Sequence, residues 1–206
     1  MRDRAPIWIG LSDLLLCVVS IVIVAVAPHA SKAKGPELKA EFLITAEWDV
    51  DIDADVDLWV LGPTRKPVMY ANREVGCTTL DRDSRGFLDN HVTLADGSVV
   101  KAASDKETAT LRCVEPGRFD VGAHLYQYRA AASEQNTNEH HLKVHVEVIR
   151  LNPQMRTEWS GDVTLDRDWQ FDNAVSFELT RDGALTLVDP PLEPIANGFY
   201  NKEARP

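Results

Sequence analysis

The strictest pattern in this chain is an alternation of apolar and polar residues over eight positions. The segment 141–148 reads His-Leu-Lys-Val-His-Val-Glu-Val, so that Leu142, Val144, Val146 and Val148 stand two residues apart. Successive side chains of a β-strand point to opposite faces of a sheet, which puts these four residues on one face. A helix would distribute them around its circumference. The segment is therefore predicted to be a half-buried strand.

The same period of two recurs throughout residues 41–188. It predicts further strands at 42–48, 56–61, 108–113, 119–126, 174–180 and 184–188. The tripeptide Arg181-Asp182-Gly183 between the last two marks a hairpin turn. Many short strands separated by turns predict an all-β domain, an antiparallel β-sandwich, over residues 41–188. Residues 189–206 are rich in proline and polar residues, and we expect an irregular tail there.

A second feature is the apolar run at residues 7–27, which is long enough to cross a bilayer as one helix. The alternative is a removable signal peptide, but Pro28 directly follows the best small-residue triplet and disfavours cleavage there. Basic residues flank both ends of the run, so the charge rule for orientation is nearly balanced. The short flank 1–6 favours a cytoplasmic N-terminus. Residues 28–40 then form a linker, and the β domain lies outside the cytoplasm.

The apolar run contains an acid, Asp13. A carboxylate inside a bilayer costs on the order of several kcal/mol, so it is a functional-site hypothesis by default. Gly10, Asp13, Cys17 and Ser20 are spaced three or four residues apart and share one helix face. Small residues let membrane helices approach closely, so Gly10, Cys17 and Ser20 are candidates for helix packing. The alternative is that Asp13 lies near the interface and extends toward water.

The segment Leu11–Leu16, Leu-Ser-Asp-Leu-Leu-Leu, resembles the anchor of the MotB, ExbD and TolR family, the B-type subunits of ion-driven motors. The resemblance implies that Asp13 takes up and releases a proton or a sodium ion, with Ser12 as its neighbour. It further implies a polytopic A-type partner similar to MotA or ExbB, a second copy of the chain, and an envelope protein as partner. The location would be a bacterial inner membrane, with the C-terminal domain in the periplasm. No OmpA-like peptidoglycan-binding domain follows, which departs from the flagellar branch.

A second resemblance concerns the β domain. Asp55-Val56-Asp57-Leu58-Trp59-Val60, with Leu80–Asp83 and Gly117–Val121, is similar to the YfaP-type domain of bacteria. That family implies a β-sandwich and carries no established activity. The resemblance therefore supports the predicted fold and leaves the chemistry open.

Two acidic segments are the candidate metal ligands of the β domain. Asp is depleted in strands, so we expect a loop from Asp51 to Asp55. Two acidic loops at one end of a sandwich could supply the six or more oxygens that calcium needs, although the spacing does not fit an EF-hand. The alternative is a solvated acidic rim in which aspartates cap turns. The candidate calcium ligands are Asp51, Asp53, Asp55, Asp57, Asp81, Asp83 and Asp89.

Charge and the remaining motifs argue against several classes of function. A formal net charge of −10 argues against a nucleic-acid partner. No catalytic motif is found, so we do not expect an enzyme. His141 and His145 are separated by Lys143, and a cation between two ligands disfavours zinc. In an oxidising compartment Cys77 and Cys113 could form a disulfide.

Two functions therefore compete. The first is a B-type subunit of an ion-driven complex, in which Asp13 carries the ion and the exported domain engages an envelope partner. The second is a membrane-tethered binding module, dependent on calcium, without an ion-channel role. A secreted domain released by cleavage is a third possibility.

Overall fold

The computed structural model describes residues 16–17, 39–129 and 140–188. Leu16 and Cys17 are helical; the rest of the predicted anchor and the tail 189–206 lie outside the described residues. Within the described ranges, no helix is both long and apolar enough to cross a membrane. The described residues from Lys39 onward belong to one compact unit.

This unit is all-β, and every strand pairing in it is antiparallel. The strands are β1 (Phe42–Trp48), β2 (Ala54–Leu61), β3 (Pro67–Val68), β4 (Glu74–Val75), β5 (Thr78–Arg82), β6 (His91–Thr93), β7 (Val99–Lys101), β8 (Asp105–Leu111), β9 (Gly117–Tyr128), β10 (Leu142–Arg150), β11 (Arg156–Leu165), β12 (Phe171–Leu179) and β13 (Leu185–Leu187). A 3-10 turn, Gly86–Leu88, precedes β6. The predicted all-β class with antiparallel sheets is confirmed.

The strands form two large sheets and one small one within the described residues. The first sheet has the order β11-β10-β1-β8-β5-β4, and the second has the order β13-β12-β9-β2-β3. Strands β6 and β7 pair only with each other among the described strands. Apolar side chains from both large sheets form one buried core, an arrangement consistent with the predicted sandwich. The disulfide Cys77–Cys113 joins the neighbouring strands β5 and β8 just outside their paired ends.

The alternating segment is a strand, β10, as its pattern predicts. In β10, Leu142, Val144, Val146 and Val148 are all buried, while the residues between them are exposed or half-buried. Burial of apolar side chains on one face fixes the register of the strand, because a slip of one residue would expose all four.

The expected loop from Asp51 to Asp55 is wrong at its C-terminal end. Strand β2 begins at Ala54, and Asp55 pairs with Gln127 of β9 beside an irregularity in the register. Arg129 contacts the side chain of Asp55 at 3.3 Å and offsets part of the cost of burying this carboxylate. Tertiary contacts thus outweigh the low strand propensity of aspartate at this position.

The other face of β2 carries a separate small apolar cluster, which includes Trp59 and Leu61. Strand β3 is short and pairs only with Val60 and Leu61 of β2 among the described residues. Residues 54–59 of β2 have no neighbouring strand on this side among the described residues, so side chains from other elements can reach their backbone.

Candidate functional site

The candidate site lies at this edge of β2. There a side chain from the opposite sheet accepts the backbone hydrogen bond that a neighbouring strand would otherwise accept. Glu107 of β8 accepts a hydrogen bond from the backbone amide of Leu58, with a distance of 2.6 Å from N to Oε2. Its other oxygen accepts from the backbone amide of Ser84 at 3.2 Å. Only 1% of Glu107 is exposed. A buried carboxylate therefore satisfies backbone donors of β2 and of the segment after β5.

Two more carboxylates converge on Glu107. One oxygen each of Asp57, Asp83 and Glu107 lie within 4.8 Å of one another. Asp57 is buried and its Oδ2 lies 2.9 Å from Nδ1 of His124, whereas Asp83 is half-buried and lies 3.4 Å from Arg73. We call Asp57, Asp83 and Glu107 the carboxylate cluster. It concentrates three acids in a volume that is largely shielded from solvent.

Burial dominates the electrostatics of this site. It raises the pKa of Glu107 well above its usual range, because desolvation and the nearby acids outweigh the two amide donors. Burial also raises the pKa of Asp57, against the opposing hydrogen bond of His124. For the adjacent Asp55, burial and then the charge of Asp57 raise the pKa to about 6, although Arg129 opposes this. The site is therefore stabilised by a proton or by a bound cation.

A pocket of about 200 Å³ opens next to the cluster. Its walls combine acids, aromatic hydroxyl groups and one guanidinium group. They are formed by Asp55, Asp57, Tyr70, Asp83, Arg85 and Tyr126. Two of the three carboxylates of the cluster can thus be reached by a small ligand from this side.

The geometry of the cluster fits a calcium ion. Calcium binds oxygen at about 2.3–2.6 Å, so two ligands of one ion lie up to about 5 Å apart. One oxygen of each carboxylate lies within 4.8 Å of the other two, so the three could bind one ion. Carboxylate oxygens already engaged by one hydrogen bond keep further acceptor capacity, so the amide bonds to Glu107 do not preclude coordination.

The seven predicted calcium ligands separate into two groups. Asp55, Asp57 and Asp83 surround the pocket. The other four contact cations outside the carboxylate cluster: Asp51 with Lys101 at 2.6 Å, Asp53 with Arg129 at 2.9 Å, Asp81 with Arg112 at 2.7 Å and Asp89 with Arg85 at 2.7 Å. Asp53 also accepts a hydrogen bond from the backbone amide of Phe87 at 3.1 Å, and this bond connects the β1–β2 loop to the 3-10 turn.

Glu107 is the residue that the sequence-based prediction missed. The strand was predicted to start at Thr108, whereas β8 starts at Asp105. In the sequence Glu107 stands two and four residues before Ala109 and Leu111, and in β8 these three residues and Asp105 are all buried. Extending the period of two by three residues would have placed Glu107 on the inward face.

The remaining candidates lie elsewhere or outside the described residues. Asp13, Ser12, Gly10 and Ser20 fall outside them, and Cys17 is an exposed free cysteine. The motor-type interpretation of Asp13 therefore stays a prediction.

His145 of β10 is hydrogen-bonded to two residues of the neighbouring strand β11. His145 Nδ1 lies 2.6 Å from Asp162, and His145 Nε2 lies 3.0 Å from the hydroxyl of Ser160. These side chains are exposed, and Asp162 also pairs with Lys143 at 2.7 Å. Water competes for each contact there, so the arrangement is explained as surface cross-strand pairing. Lys143 thus lies against the same acid as His145, where it opposes binding of a second cation.

No family model, curated protein or solved structure matches the chain.

Proposed function

We propose that this chain is a single-pass inner-membrane protein that acts as the B-type subunit of an ion-driven complex. The observation that carries the proposal is Asp13 within the apolar run 7–27. An acid at such a position is retained where it faces protein or water, or where it is protonated. In this function Asp13 binds a proton or a sodium ion in a polar niche between helices. Neutralisation of its charge lets the surrounding A-type subunits move by one step.

The exported β domain then engages an envelope partner and transmits the movement. Gly10, Cys17 and Ser20 would line the packing face of the anchor helix, where a second copy or the A-type subunit approaches. Ser12 would provide a hydroxyl next to the ion-binding carboxylate. A periplasmic location agrees with the paired cysteines of the β domain, since disulfides persist in oxidising compartments.

The test compares two acids of the same N-terminal region. Full-length protein with Asp13→Asn or Asp13→Glu is expressed with its native neighbours and purified in mild detergent, and ion uptake is measured after reconstitution in vesicles. Asp3→Asn, outside the apolar run, is the matched control. We expect a polytopic subunit to co-purify with every variant, and ion uptake to be lost only in Asp13→Asn. Normal uptake by Asp13→Asn would exclude the proposal.

A second candidate function is a membrane-tethered, calcium-dependent binding module. The observation that favours it is the carboxylate cluster, whose three oxygens lie within 4.8 Å of one another. Calcium would neutralise charges that burial otherwise disfavours, and Asp57, Asp83 and Glu107 would be its protein ligands. The remaining coordination positions would be filled by water or by an oxygen of the bound partner.

Thermal unfolding with calcium or with a chelator tests this candidate. A ligand present at about 100 times its Kd stabilises the folded state by about 2.7 kcal/mol, which calcium should provide at neutral pH. Asp83→Asn should abolish the stabilisation. Asp81→Asn, whose side chain pairs with Arg112 outside the cluster, should retain it. Identical melting curves with calcium and chelator would rule out the calcium site.

A further inference from the structure

The pocket of about 200 Å³ beside the carboxylate cluster has aromatic walls as well as acidic ones. Asp55 of β2 pairs with Gln127 of β9 and Val56 pairs with Leu125, so Tyr126 is the extra residue of a β-bulge. A bulge redirects the side chains around it, and Tyr126 here lines the pocket. We call the space lined by Asp55, Asp57, Tyr70, Asp83, Arg85 and Tyr126 the acidic pocket.

Two tyrosine rings are held next to the acids. The ring of Tyr126 packs edge-to-face on Trp169, with 4.7 Å between the ring centres, so its position is fixed by the fold. Tyr70 follows β3 and is 42% exposed. Burial and then the charges of nearby groups, Asp57 and Asp55 among them, raise the pKa of Tyr70. Its hydroxyl group therefore lies close to these carboxylates.

The carboxylates of the acidic pocket keep unused acceptor atoms. Asp57 is only 4% exposed; its Oδ2 contacts His124, whereas its Oδ1 has no hydrogen-bond partner in the part of the chain that the structure describes. Asp55, which is 8% exposed, engages only its Oδ2, toward Arg129. Asp83 likewise engages one oxygen, at 3.4 Å. A buried oxygen without a donor is costly, so the pocket favours a ligand that donates hydrogen bonds.

The nearby bases do not balance the acids of the pocket. Arg85 is part of the wall, but Asp89 engages its guanidinium at both Nε and Nη2, at 2.7 and 3.1 Å. Arg129 is shared between Asp53 at 2.9 Å and Asp55 at 3.3 Å. The pKa of Asp55 is accordingly raised to about 6 in spite of Arg129. The pocket therefore favours a cation.

Size and wall chemistry indicate which cation fits. A volume of about 200 Å³ has room for roughly seven water molecules, more than a single metal ion fills. A primary ammonium carries three N–H donors, which matches the three carboxylates with one open oxygen each. Its charge and its alkyl chain also contact aromatic rings favourably. A metal ion would use the oxygens alone and leave the two rings without a role.

We propose that the acidic pocket binds a primary ammonium group on a short alkyl chain, with Asp55, Asp57 and Asp83 as acceptors and the rings of Tyr70 and Tyr126 as walls. The ammonium group belongs either to a lysine side chain of a partner protein or to a free alkylamine. It shares two acids with the carboxylate cluster, so calcium bound there competes with it. The inference depends on neither ion uptake nor calcium.

The test uses the full-length protein in a neutral detergent and two probes of similar shape, n-butylammonium and the uncharged n-butanol. We expect titrations followed by saturation-transfer NMR to show about tenfold or more tighter binding of butylammonium, since hydrogen bonds to charged groups discriminate strongly. Asp55→Asn keeps the size of the side chain and should weaken this binding about tenfold. Asp81→Asn, the same change at a residue that pairs with Arg112 outside the pocket, should not. Tyr70→Leu should weaken it about twofold or more.

A blocked peptide with one lysine between glycines distinguishes the two sources of the ammonium group. Binding of the peptide at least as tight as that of butylammonium assigns the pocket to a lysine of a partner protein. Binding of butylammonium without binding of the peptide assigns it to a free alkylamine. Both results support the inference.

Four results would overturn it. They are equal binding of butanol and butylammonium, unchanged binding by Asp55→Asn, unchanged binding by Tyr70→Leu, and no binding of butylammonium at up to about 10 mM. Glu107→Gln separates the inference from the calcium site, because Glu107 belongs to the carboxylate cluster and not to the pocket wall. This variant should bind butylammonium like the wild type even where stabilisation by calcium is lost, and Asp13→Asn should do so even where ion uptake is lost.

Discussion

Replacing Asp55 by asparagine should stabilise the domain at neutral pH. The folded state raises the pKa of this carboxyl to about 6, chiefly by burial and then by the charge of Asp57. An unfolded aspartate has a pKa of about 3.9, and each pKa unit is worth about 1.4 kcal/mol, so ionised Asp55 destabilises the fold by about 3 kcal/mol. The contact with Arg129 at 3.3 Å is lost in the variant, which costs about 1 kcal/mol. The net expected gain is about 2 kcal/mol.

The raised pKa of Asp55 also determines how the stability of the domain changes with pH. Because the folded pKa of Asp55 is raised, the folded state holds a proton that the unfolded state releases between about pH 4 and pH 6. The contribution of Asp55 is therefore neutral below about pH 4, and stability is lost as the pH rises through 6. Asp55→Asn removes this contribution, so its advantage should be present at pH 7.5 and disappear near pH 4.

Thermal unfolding of the full-length protein, followed by intrinsic fluorescence, measures both effects. For a domain of this size 2 kcal/mol corresponds to a shift in Tm of about 4–8 °C. Glu178→Gln is the control, because Glu178 lies exposed on β12 and its substitution should change stability by no more than about 0.5 kcal/mol. An Asp55→Asn variant that is less stable than the wild type at pH 7.5, or equally shifted at pH 4 and 7.5, would refute the reasoning.

Three further substitutions test the architecture. Glu107→Ala should destabilise the domain by roughly 2–4 kcal/mol in denaturant titrations, since it leaves two buried amides without an acceptor, whereas Glu107→Gln keeps an acceptor and should cost less. Replacing Cys77 and Cys113 by serine should cost about 3–4 kcal/mol, because the disulfide closes a loop with a sequence separation of 36; an unchanged denaturation midpoint under oxidising conditions would contradict this. Gly86→Ala should lower the free energy of unfolding by about 1–3 kcal/mol, because Gly86 has a φ of +63° and a Cβ there would meet the carbonyl oxygen of Ala54 at 2.6 Å. A Tm equal to that of the wild type would disprove this constraint.

The sequence predicted seven of the strands, β1, β2, β8, β9, β10, β12 and β13, but not β3, β5 and β11, which also contribute residues to the core. Strand β1 matches the predicted range 42–48, and β10 begins one residue after the predicted start. Strand β11 was not predicted, because it lies at the edge of its sheet and most of its residues are exposed or half-buried, which leaves little alternation to detect. Strands β6 and β7 were missed for a related reason: all their residues are exposed, so no inward face distinguishes them.

The candidate site was predictable only in part. The acidic spacing of β2 drew attention to Asp55 and Asp57, and the segment after β5 to Asp83. Their convergence on Glu107 depends on how the two large sheets stack, and a side chain from one sheet that hydrogen-bonds the backbone of the other leaves no local signal in the sequence. The cations that engage Asp53, Asp81 and Asp89 likewise come from positions that folding alone brings near.

The bond from the Leu58 amide to Glu107 makes one backbone proton a reporter for the whole site. At 2.6 Å the amide proton experiences the charge of the carboxylate directly, so its NMR resonance should move when Glu107 gains a proton or a cation. Exchange of the same proton with solvent requires the edge of β2 to part from β8, which belongs to the other sheet. A single amide thus records both the occupancy of the site and the separation of the two layers, and the two events can be followed in one spectrum.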